Sequence, residues 1–141
     1  MRKAAALLAL SALSGCEDPR IRNLVAEETL SAAKHKGFNY KATLRGALGG
    51  DPADVKRLMM FTADAAGALG HGVVLIEVCV GFGDVPSASL AADLSAEERL
   101  DLRRTLEAGI AYTRNPAFKN ATVASLLPEL ARRLPPEKIG E

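Results

Sequence analysis

The chain has no tryptophan, only two tyrosines and only four phenylalanines in 141 residues. An aromatic platform for stacking sugars or bases therefore has little to draw on. Two histidines, His35 and His71, and two cysteines, Cys16 and Cys79, complete its stock of soft metal ligands. The histidines do not stand in a His-x-x-x-His spacing, and one thiol beside them does not make a structural zinc site. No metal and no cofactor is expected. Charge of one sign is missing too: eighteen Lys and Arg face seventeen Asp and Glu, with no long run of either. A basic stripe is what nucleic acid would need, so nucleic acid is not an expected partner. No Gly-x-Ser-x-Gly elbow and no phosphate loop ending in Gly-Lys-Ser/Thr occurs, so no catalytic residue follows from a motif.

What is present is concentrated at the N-terminus. Arg2 and Lys3 precede an apolar run from Ala4 to Leu13, broken only by Ser11, and Leu13-Ser14-Gly15-Cys16 closes it. Charge, short apolar core and small-residue exit are the anatomy of a secretory signal. Ten residues fall far short of the ~20 that a helix needs to span a bilayer, so the segment is not a permanent anchor. Leu13-Ser14-Gly15-Cys16 resembles the lipobox of bacterial lipoproteins. That resemblance implies removal of residues 1–15, acylation of Cys16, and a protein held at a membrane of the bacterial cell envelope, on its periplasmic or outer face. Ordinary secretion, with cleavage after Ala12-Leu13-Ser14, is the competing reading. No later segment reads as a membrane span.

From Cys16 onward the chain carries sixteen cations against seventeen anions. Its length suits one domain with a modest core. With Cys16 lipidated, Cys79 has no partner and the domain relies on packing. Residues 16–21 read as the lipidated cysteine and a short tether, 22–134 as a single helical domain, and 135–141 as a tail. Apolar spacing predicts a helix over 22–34 and another over 38–48. Asp51-Pro52-Ala53-Asp54 is a helix start, with Asp as N-cap and Pro at the first position. Ser95-Ala96-Glu97-Glu98 is a capping box with Leu102, Leu106 and Ile110 behind it. After Pro116 two short helices are expected, since Pro128 breaks one and begins another.

Residues 71–84 are ambiguous. Val73, Val74, Ile76, Val78 and Val80 favour a strand, but no second strand pattern exists to pair with it, and a lone strand leaves its backbone groups unpaired. A central buried helix is the better reading. The fold class is therefore all-α, a compact bundle or short two-layer array of about six to eight helices. Gly50-Asp51 and Gly83-Asp84 echo each other at an interval near that of helical repeats. Leu58–Asp84 is also similar to segments of small bacterial proteins of unknown function, a similarity that implies no activity.

Three side chains are candidates for chemistry. Asp64 and His71 stand seven apart, which puts them on one face of an unbroken helix. Gly67, Gly70 and Gly72 make that helix doubtful and suggest a turn with a surface histidine. Glu77 lies among apolar neighbours and needs a partner or a proton. Arg45, Arg57 and Arg103 are the partners considered, and a ligand contact or general acid is the alternative to a structural ion pair. Cys79 reads as a small buried hydrophobe. The function expected is that of a membrane-anchored helical binding or scaffold module. Its partner would be an envelope protein received in an apolar groove, as the helical pilotins do for secretion-channel subunits. A small-ligand binder or enzyme using Glu77, Asp64 and His71 is the rival. Convergent polar groups in a pocket would favour that rival class.

Overall fold

A computed structural model describes residues 18–136. The signal, Cys16 and residues 137–141 lie outside the described residues. Within them the chain is all-α, with nine α-helices and no strand, six of the helices seven residues or longer.

Two short helices open the fold where one was expected. Helix α1 (Pro19–Leu24) is capped by the Asp18 carboxylate, which accepts from the Arg20 amide at 2.9 Å. Helix α2 (Glu27–His35) starts after a break at Val25 and Ala26. Ile21 is wholly buried, so residues 19–21, expected as part of a tether, already belong to the packed fold. Helix α3 (Tyr40–Leu48) is capped by Asn39 and α4 (Pro52–Met60) by Asp51, as its Asp-Pro start requires.

Helix α5 (Ala65–Phe82) is the centre of the molecule, packing against α2, α3, α4, α6 (Asp84–Ala91) and α7 (Ala96–Tyr112). It starts at Ala65 and runs without interruption through Gly67, Gly70 and Gly72, so the expected turn does not form. The glycines are there for contact. A methyl group on Gly67 would lie 3.1 Å from Ala32 Cβ and 3.2 Å from Glu28 O, and one on Gly70 would collide with Thr29 Oγ1 of α2. Thr29 Oγ1 donates to Gly67 O at 3.1 Å, which ties the two backbones together. On the far side, a methyl on Gly72 would lie 2.5 Å from Thr105 O and 2.8 Å from Gly109 N. Gly109 likewise has no room, because its missing methyl would collide with Gly72 O. Helices α5 and α7 therefore touch backbone to backbone. They also run in the same direction, since Gly72 meets Gly109 while Glu77, further along, meets Asn115 just past the end of α7.

By length and composition Ala65–Phe82 would pass for a membrane span, with a mean hydropathy of 1.7, although the sequence suggested no second candidate. Packing against five helices accounts for its apolarity without a bilayer.

The C-terminal part has three short pieces where two were expected: a 3₁₀ turn (Pro116–Phe118), α8 (Val123–Leu126) and α9 (Pro128–Arg133). Pro128 does open a helix, but its cap comes from elsewhere. Asp84 Oδ2 accepts from the Glu129 amide and Oδ1 from the Leu130 amide, both at 2.9 Å. Asp51 caps its own helix and Asp84 caps one 45 residues away, so the two Gly-Asp turns are not structural equivalents.

Candidate functional site

The three candidate side chains do not meet. Asp64 is exposed at the N-cap of α5 and makes no capping hydrogen bond. His71, expected on a surface turn, is 1% exposed. Its Nε2 lies 2.9 Å from Leu58 O and its Nδ1 2.7 Å from the Tyr40 hydroxyl. A carbonyl only accepts, which assigns the proton to Nε2 and leaves Nδ1 to accept from Tyr40. Phe61 packs edge-on to the imidazole at 4.9 Å between ring centres, and Phe38 lies 4.7 Å from Phe61. Burial pushes the His71 pKa down to about 4, against a smaller upward pull from the Leu58 and Phe61 carbonyls. The same burial raises the Tyr40 phenol above its usual range. Both ring nitrogens are occupied and the ring is neutral, so His71 is a polar pin in the core and not a proton-transfer group.

Glu77 is half-buried and its partner is an amide. Asn115 Nδ2 donates to Glu77 Oε1 at 2.8 Å. None of the three arginines considered pairs with it: Arg57 bonds Asp54 and Arg103 lies beside Glu107, and Arg45 makes no ion pair with it either. Cys79 is fully enclosed, and burial pushes its thiol up to about 12. It is an inert hydrophobe.

Asn115 leads to the feature that sequence reasoning missed. Beyond α7 the chain folds back, and residues 113–124 form one wall of a cleft of about 860 Å³ whose other wall is the last half of α7. Arg103, Arg114 and Lys119 line it against a single carboxylate, Glu107. Asn115 holds this wall in place: Nδ2 is spent on Glu77, Oδ1 accepts from the Ala117 amide at 3.0 Å, and its own amide donates to Thr113 Oγ1 at 3.1 Å. Thr122 adds a second fixed point through a capping box with Ser125. Ile110 and Ala111 supply apolar surface. Glu77 thus belongs to the site as the anchor of its wall.

Arg103 is the unusual member. Its side chain is only 13% exposed, and Glu107 Oε1 stands 3.0 Å from Nε. The pair is outside hydrogen-bonding geometry, so Nε is buried with its N–H unsatisfied. Arg114 and Lys119 make no ion pair with any described residue. The signal for this cleft was in the sequence: residues 108–128 contain no Asp or Glu at all, yet carry Arg114 and Lys119.

Comparison with family models, curated proteins and solved structures finds no match. The site is therefore read from its own chemistry. Among the described residues no group of three His, Cys, Asp or Glu side chains is placed to hold a metal ion.

Proposed function

We propose that the protein is a lipoprotein of the bacterial cell envelope, a helical binding module held at a membrane through acyl chains on Cys16, with the cleft beside Arg103 as its binding face. The observation that carries the anchoring is the order of residues 1–16: two cations, a short apolar run and Leu13-Ser14-Gly15-Cys16. The sealed thiol of Cys79 supports it, because a fully buried cysteine offers no disulfide partner to Cys16 in the folded domain. The early start of the fold is compatible with a tight anchor: only Glu17 separates Cys16 from the Asp18 cap. Two or more acyl chains suffice for stable attachment, whereas one alone is marginal.

The binding half of the proposal rests on the cleft. Its polar and cationic lining suits a small ligand or a charged segment of another envelope protein better than an apolar helix. An enzyme built on Glu77, Asp64 and His71 has no support, since the three side chains are held apart and His71 and Glu77 are engaged elsewhere.

Fractionation tests the anchor. The wild-type chain, expressed in a bacterium that processes lipoproteins, should sediment with membranes and stay there through a high-salt wash. Cys16→Ser should accumulate as precursor or appear in the soluble fraction. Identical soluble behaviour of the two would overturn the anchoring.

A further inference from the structure

We propose that the cleft between α7 and residues 113–124 is a receptor for an oxyanion, the carboxylate or phosphate group of a small organic ligand, seated against Arg103. The inference rests on the reading of this cleft as the binding face and adds the chemistry of its occupant.

Charge is the first argument. Arg103, Arg114 and Lys119 face one carboxylate, Glu107, with Glu77 behind the wall on Asn115, which leaves the cleft net positive in a chain that is otherwise balanced. The second is an unmade bond. Arg103 Nε is buried and has no acceptor in geometry, although Glu107 Oε1 is only 3.0 Å away. Glu107 therefore leaves the guanidinium's donors unsaturated, and a planar two-oxygen acceptor in the cleft, meeting the terminal amino groups beside the enclosed Nε, is the group that such a fork fits best. Among the described residues Arg114 and Lys119 have no carboxylate of their own, and both can close on the same anion. The third argument is rigidity. The Glu77–Asn115 bond, the Asn115 turn and the Thr122 capping box hold the wall before any ligand arrives, so little ordering is left for binding to offset. The volume of about 860 Å³ lies within the range of small-molecule sites, and Ile110 and Ala111 offer apolar surface to the remainder of a ligand.

The probes are inorganic phosphate and citrate, titrated calorimetrically into the mature lipidated protein in uncharged detergent micelles. Saturable binding of at least one is expected, weakening as salt is added. Arg103→Gln, which keeps the length of the stem and removes the charge, should weaken it at least tenfold. Lys34→Gln, an exposed cation outside the cleft, should leave it unchanged. Amide NMR shifts on titration should centre on residues 103–124. Circular dichroism and thermal melting of Arg103→Gln guard against a folding artefact: the variant should keep the helical spectrum and a cooperative melt like that of the wild type. Micelles doped with phosphatidylglycerol separate two sources of the anion. Competition with phosphate assigns the oxyanion to a lipid headgroup, and no competition assigns it to a soluble ligand; either upholds the site. No binding of either probe, or binding untouched by Arg103→Gln, overturns the oxyanion. Failure of the wider reading looks different: shifts would then centre outside 103–124 for every ligand and partner tried.

Discussion

His71 spends both ring nitrogens inside the core, and this makes it one of the residues through which pH acts on the domain. The sign follows from its lowered pKa. The unfolded chain takes up the proton near 6.5, while the folded one resists until about 4. Its contribution to stability is therefore level above pH 7 and is lost as pH falls from about 6.5 to 4, by roughly 3 kcal/mol at ~1.4 kcal/mol per unit. Urea denaturation at pH 7.5, 6, 5 and 4 should trace that decline, and His71→Gln should flatten it. Tyr40→Phe removes the donor to Nδ1 and leaves a buried acceptor empty, at a cost of about 1–3 kcal/mol. Glu77 has a smaller part than an apolar setting suggested. With a neutral amide as partner and partial access to water, Glu77→Ala should cost about 1–2 kcal/mol, short of the ~3–5 kcal/mol expected when a buried ion pair is broken. The sequence marked Glu77 as a carboxylate in need of a partner. It could not show that Asn115, 38 positions away, would arrive to meet it.

Among the elements, the helix pair α5 and α7 is decided by two hydrogens, those that Gly72 and Gly109 carry in place of a side chain. Gly72→Ala or Gly109→Ala would force the backbones apart and should cost about 3 kcal/mol or more, at the upper end of overpacking effects. Gly81 is the internal control. It lies in the same helix with nothing within 4 Å, so Gly81→Ala should stabilise by roughly 0.5–1 kcal/mol through helix propensity alone. Denaturation midpoints of the three variants check both signs. Ser95→Ala should cost about 1 kcal/mol by opening the capping box at α7, and Asp84→Ala should cost more, since its carboxylate serves two amides of α9. These elements also mark what was legible. The caps at Asp51 and Ser95 were readable because a cap is a local matter of one side chain and the amides two or three residues on. The helical state of residues 71–82 was readable by elimination of a strand partner, though not the break at Gly83. The glycines were misread because their propensity argues for a turn, and only the small residues of α2 and the backbone of α7 reverse that argument.

For the whole molecule, a central helix wrapped by its neighbours leaves the proposed binding face at the periphery, where residues 113–124 fold back on α7. That cleft was not legible as a site, because its residues come from a helix flank and an irregular segment with no motif; the absence of acids from 108 to 128 was the trace it left. The all-helical class was legible, since every capping signal and apolar spacing agreed on it. The central claim joins this domain to a membrane through Cys16, and intact mass of the mature protein purified from membranes tests it most directly. The account predicts a chain beginning at Cys16 and heavier than its amino acids by two or three acyl chains, with the Cys79 thiol free. A mature mass without acyl groups, or one with Cys16 and Cys79 joined in a disulfide, would contradict it.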